Sequence, residues 1–228
     1  MHNTPRTKLR ARVALVAAGA VVALVGVMPM PASAGETCNG LPATKVGTQG
    51  DDVLRGTTGN DVIVGLGGND EIRGLGGRLD VMCGGGGRDT IIGGAGRDRA
   101  IGGGGADTMN GGADFGIFYG DAGNDSITGG VNRDVLIGGA GNDRMTGNEG
   151  NDTFRGEIGN DTQFGGPGND ELRGGDDNDN LAGGDDDDVL FGLPGDDALD
   201  GGNGTDTTDG GGGIDTCVNG ETVANCEG

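Results

Sequence analysis

Aspartate returns at every ninth residue over most of this 228-residue chain, and glycines precede each return. The recurring phrase is G-G-x-G-x-D-x-U-x, with U a large apolar residue. It reads GTTGNDVIV from Gly56 to Val64, GGGGRDTII from Gly84 to Ile92, GGAGNDRMT from Gly138 to Thr146 and GGPGNDELR from Gly165 to Arg173. The sixth place is held by Asp52, Asp61, Asp70, Asp89, Asp98, Asp107, Asp125, Asp134, Asp143, Asp152, Asp161, Asp170, Asp179, Asp188, Asp197, Asp206 and Asp215. A carboxylate beside a run of glycine carbonyls is a set of hard oxygen donors. Ca²⁺ takes about six to eight such ligands, so these aspartates are candidate ligands for multiple Ca²⁺ ions.

Other chemistry is poorly supplied. Beyond residue 34 there is no His and no Trp, with single copies of Ser (Ser126), Lys (Lys45) and Tyr (Tyr119). Triads built on His and zinc sites ligated by His are therefore excluded, and four Cys leave little for nucleophilic catalysis. Adjacent carboxylates could serve as a general acid and base, but with this many aspartates adjacency is expected by chance. The acidic runs Asp176-Asp177 and Asp185 to Asp188 lack the Gly and Glu of a helix-loop-helix calcium loop and fit the nonapeptide phase better. Stray GxGxxG matches arise wherever glycine loops adjoin, with no helix following. The expectation is a protein that is not an enzyme.

Residues 1–34 read as a secretory signal peptide. Arg6, Lys8, Arg10 and Arg12 precede the apolar run Val13 to Met28, and Ala32-Ser33-Ala34 forms a small-residue cleavage site. The run is about 16 residues, short of the ~20 that a membrane-spanning helix needs, so no membrane span is expected after cleavage. Removing those four basic groups takes the formal net charge from −21 to −25, which repels nucleic acid and attracts cations. Residues 35–46 read as an N-terminal cap, 47–218 as the repeat array and 219–228 as a C-terminal cap. Four cysteines in an exported chain read as two disulfides with three connectivities. Local pairing, Cys38 with Cys83 and Cys217 with Cys226, would staple both ends of the array.

The elements that must position the aspartates follow from the same phrase. About 19 units start at Gly47 and end at Val218, and two break the pattern. The unit at Gly74 carries an extra residue that moves Asp80 to the seventh place. The unit Gly111 to Tyr119 has Asp114 where Gly belongs and Gly116 where Asp belongs. Glycines at the first, second and fourth places suit positive φ and tight turns. The seventh to ninth places form a three-residue strand whose middle residue points inward. That inward column runs Leu54, Ile63, Ile72, Met82, Ile91, Ala100, Met109, Phe118, Ile127, Leu136, Met145, Phe154, Gln163, Leu172, Leu181, Leu190, Leu199, Thr208 and Cys217. Gln163 and Thr208 are its weak entries, and the latter predicts fraying near the C-terminus.

With this phrase repeated so often, the chain resembles the hemolysin-type calcium-binding, or RTX nonapeptide, repeat family. The resemblance implies an all-β parallel β-roll, a β-solenoid with two nonapeptides per turn. It also implies ions held between loops one turn apart by sixth-place Asp side chains and glycine carbonyls. The function it implies is that of a secreted calcium-binding repeat protein, free in the extracellular space, that folds on binding extracellular Ca²⁺. The alternatives are a calcium-dependent adhesin or cell-envelope matrix protein and, less favoured, a hydrolytic enzyme with such repeats. Counting by two also gathers the outward residues Ile101, Ile117, Tyr119, Val135 and Ile137 on one sheet, a contact surface for a protein or cell-surface partner. The plainer alternative is a degraded repeat.

Overall fold

A computed structural model describes residues 36–226, and the expected leader over 1–34 lies outside them. The apolar and β-branched residues at the seventh to ninth places do form strands, and each pairs in parallel with the strand one turn on. Met109 stands beside Ile91 and Ile127, and Phe118 beside Ala100 and Leu136. Successive units therefore alternate between a 10-stranded and a 12-stranded sheet, a two-unit turn that makes the chain an all-β parallel solenoid. Among the described residues no helix is long and apolar enough to cross a membrane.

The two sheets close on a core one side chain wide. Every apolar member of the inward column from Leu54 to Leu199 is buried, with Cys217 packed against the end. Gln163 and Thr208 are buried as well. Gln163 donates from Nε2 to the Arg173 carbonyl at 2.6 Å, while its Oε1 is buried without a partner. The fraying expected at Thr208 does not occur: Thr208 pairs with Val223 in a further strand, Thr222–Ala224, and the Cys217–Cys226 disulfide closes behind it. At the other end Lys45–Val46 adds a strand, and Cys38–Cys83 ties the antiparallel pair Thr37–Cys38 and Leu41–Pro42 to the array. Both segments read as caps thus extend the sheets.

Two local details differ from the sequence reading. Typical strands have six residues, as in Val62–Gly67 or Thr90–Ala95, because the first places of the next unit continue the strand. Positive φ falls on the second and fourth places, for example Gly94 and Gly96, and not on the first. Gly93, at a first place, is required for space instead. A Cβ there would stand 2.5 Å from the Gly111 carbonyl oxygen and 2.7 Å from Asp98 Oδ2. The second place even admits Leu66 and Leu193 at φ 84° and 80°.

Candidate metal centre

The sixth-place aspartates line the inside of the turns. All are buried except Asp52, which is half-buried. Their carboxylates are held by one repeated device: the sixth-place backbone N–H donates to Oδ1 of the Asp eighteen residues on. Asp107 donates to Asp125, Asp125 to Asp143 and Asp143 to Asp161, each at 2.7 Å. The ladder runs through both sides of the roll, and at its end the Asp206 N–H donates to Glu221 Oε2 at 2.5 Å. Glu221, which no periodicity singles out, thus takes the place of the next aspartate.

With Oδ1 tied to the backbone, the second oxygen decides the chemistry. Sixteen Oδ2 atoms, on Asp70, Asp80, Asp89, Asp98, Asp107, Asp125 and ten further aspartates from Asp134 to Asp215, are buried without a hydrogen-bond partner. A buried carboxylate oxygen with no partner is costly unless a cation meets it. Each faces the first-place glycine of its own unit and a carbonyl one turn on, that of the corresponding glycine except beside Asp206 and Asp215, where it is that of Asn219 and Asn225, the space that a Cβ would fill. Among the described residues no three His, Cys, Asp or Glu side chains converge, so a cation here would draw most of its oxygens from the backbone. That is a donor set for Ca²⁺ and not for a soft metal.

Electrostatics agree with the geometry. Burial, the largest cause, and neighbouring carboxylates push Asp170 and Asp179 up to about 8, against the backbone N–H bonds that lower them. The same causes push Asp134, Asp143 and Asp188 up to about 7 and Asp70, Asp98, Asp107 and Asp125 up to about 6. Burial also raises Asp152 and Asp161 to about 6, and it raises Asp80, Asp89 and Asp197. A nearby divalent charge reverses this preference and lets the column ionise.

The structure sorts the sequence-derived candidates. Asp52 and Asp61 stand in the same place beside their first-place glycines but have a hydrogen-bonded second oxygen: Oδ2 accepts from the N–H of Thr48 or Thr57 at 2.6 Å and from its hydroxyl at 2.8 or 2.9 Å. Asp80, set aside because of the extra residue, belongs to the column. Leu79 loops outward, 44% exposed, while Asp80 is fully buried and accepts from the Asp61 N–H at 2.8 Å. Gly116 leaves a true gap. It still donates to Asp134 Oδ1 at 2.6 Å, but it offers no carboxylate, and the Phe118 ring fills the space.

A parallel solenoid whose turns carry stacked aspartates and glycine carbonyls defines a cation-binding β-roll. The profile of the RTX calcium-binding nonapeptide repeat, in four-copy stretches, matches residues 46–78, 84–118, 116–145, 129–163, 155–190, 164–199 and 182–217, and the chain belongs to that family. Comparison with curated proteins finds no match.

Proposed function

We propose that this is a secreted, non-enzymatic calcium-binding protein whose folding is driven by extracellular Ca²⁺. The observation that carries the reading is the column of buried aspartates with one oxygen on the backbone ladder and the other unpartnered. The bound ion supplies positive charge to that column. The protein's residues supply the rest: Asp Oδ2 and first-place glycine carbonyls would hold the ion, and the amide ladder fixes each carboxylate. One apolar side chain per nine residues is a thin core, and a net charge of −25 opposes compaction, so metal binding and folding become one event. Export is supported by the leader pattern over 1–34 and by two disulfides.

Circular dichroism at pH 8 tests this. Protein in EGTA is expected to give a coil-like spectrum, and Ca²⁺ in the ~10⁻⁴ to 10⁻³ M range of extracellular modules is expected to produce β signal cooperatively. A compact β-rich chain in EGTA at that pH overturns the reading.

An adhesive or cell-envelope role is the second reading, favoured by one observation. Ile117 pairs with Val135, and Tyr119 with Ile101 and Ile137, on the outer face of the 12-stranded sheet, all half-buried. Arg99 covers part of this patch, lying over the Tyr119 ring at 5.3 Å and donating to its hydroxyl at 3.1 Å. Tyr119→Asp with Ile137→Asp is expected to abolish calcium-dependent binding to cells from the producing culture while leaving folding intact. Unchanged binding removes this second role.

A further inference from the structure

The turns that lead into the 12-stranded sheet stack into a single ridge. Arg78 N–H donates to Asn60 Oδ1 at 2.9 Å, Asn169 N–H to Asn151 Oδ1 at 3.3 Å and Thr205 N–H to Asp187 Oδ1 at 2.9 Å. Charge along this ridge is divided. Arg78, Arg97 and Arg133 project from its first half, and Asp185, Asp186 and Asp187 project from its second, all exposed. No Lys or Arg follows Arg173 anywhere in the chain.

Arg78, Arg97 and Arg133 form no ion pair in a chain with acid to spare, although the Arg133 charge lowers buried Asp152. The two ion pairs among the described residues are Arg73–Glu71 and Arg173–Glu171. Arg97 instead lies 5.1 Å from the Phe115 ring centroid, and Arg99 Nε is buried with no partner at all. Asp114, in the same stretch, turns its carboxylate to the Gly96 N–H at 3.0 Å. Around Arg78, Arg97 and Arg99 opens a cleft of about 540 Å³ whose apolar lining includes Leu41, Leu79 and Phe115. Both irregular units build it: Leu79 is the looped-out extra residue, and Phe115 stands at the fifth place of the unit that lost its aspartate.

We propose that this cleft receives the Asp185–Asp187 turn of a second copy of the chain, in a two-fold, antiparallel, ridge-to-ridge dimer. The turns of Arg97 and Asp187 are five strand spacings apart along the ridge, roughly 24 Å at ~4.8 Å each. A two-fold axis across the ridge between them sets the basic half of each copy against the acidic half of the other, so both contacts form together. Such charge complementarity fixes register and makes association dependent on salt. The inference rests on the calcium reading, because bound ions neutralise the sixth-place carboxylates and leave the ridge to direct the encounter.

Sedimentation equilibrium in Ca²⁺ at low salt, with circular dichroism on the same samples, tests it. Wild type is expected at twice the monomer mass, falling toward monomer as salt rises. Arg78→Asp with Arg97→Asp makes both halves acidic, and Asp185→Lys with Asp186→Lys makes both basic. Each variant alone is expected to fold with Ca²⁺ and to sediment as a monomer, whereas their equimolar mixture regains the doubled mass. Folded wild type that stays monomeric, variants that still dimerise alone, or a mixture that stays monomeric would each overturn the dimer. Binding of an acidic polysaccharide, polygalacturonate, to monomeric wild type with loss in the arginine variant would assign the cleft to a foreign polyanion and equally overturn it. Failure of Ca²⁺ to induce β signal counts against the calcium reading instead.

Discussion

At the scale of single residues, the two oxygens of each aspartate divide the labour, and substitutions can separate them. Asp143→Asn keeps an oxygen for the Asp125 N–H, now 2.7 Å from Asp143 Oδ1, but removes the charge that a cation needs. Calorimetry is expected to show fewer bound Ca²⁺ with the β signal at saturation retained. Asp52→Asn is expected to leave the stoichiometry unchanged, since Thr48 already occupies its second oxygen. Equal losses from both variants would mean that the unpartnered oxygens are not the ligands. Glycine offers a parallel contrast. Gly93→Ala places a methyl against Asp98 Oδ2 and the Gly111 carbonyl and is expected to cost ~1–3 kcal/mol along with calcium binding at that turn. Gly86→Ala meets nothing within 4 Å and has no positive φ, so thermal melting in Ca²⁺ is expected to find it neutral or slightly stabilised.

At the scale of the strand and turn, the irregular unit at Gly111 gives the sharpest test. Gly116→Asp alone is expected to destabilise the roll, because the Phe118 ring occupies the place of the new side chain. Gly116→Asp with Phe118→Leu is expected to restore folding, give the Asp98 N–H an acceptor and raise the calcium stoichiometry. Leu136→Ala, by contrast, is expected to cost roughly 2–5 kcal/mol with the stoichiometry unchanged. The inward column was legible in the sequence because a period of nine fixes which residue of each strand faces in. Two units per turn was legible only through the family resemblance, since spacing alone does not say which strands become neighbours. Asp80 was missed because counting along a chain cannot reveal that Leu79 loops out and restores the register. The different surroundings of Asp52 and Asp61 were hidden for a similar reason. Thr48 and Thr57 look like tolerated replacements of glycine, yet their hydroxyls reach the carboxylates once the turn has closed. The roles of the glycines were partly misread, since crowding between turns depends on a neighbour eighteen residues away.

At the scale of the whole molecule, the raised aspartates are expected to couple folding to pH as well as to calcium, and the two act in opposite directions. Without metal, a carboxyl held at about 6 to 8 in the roll and near its ordinary value of 3.8 in the coil favours the folded state when protonated. That contribution is complete below the ordinary value and is lost as pH rises through 6 to 8. Calcium binding runs the other way, because the ion needs the carboxylates ionised, so its affinity falls as pH drops through the same range. In EGTA, β signal is therefore expected at pH 5 and coil at pH 8, and at pH 8 millimolar Ca²⁺ restores the β signal. The calcium concentration at the folding midpoint, measured with metal buffers, is expected to be higher at pH 6 than at pH 8 even though the metal-free roll is less disfavoured there. An acid-folded form that gains nothing from Asp170 and Asp179 would be unaffected by Asp170→Asn with Asp179→Asn. The column predicts instead that this pair of substitutions, which removes two of the most strongly raised groups, shifts the metal-free transition toward higher pH, with fewer calcium ions bound at pH 8. A midpoint that stays in place in both titrations would show that the buried aspartates do not govern folding.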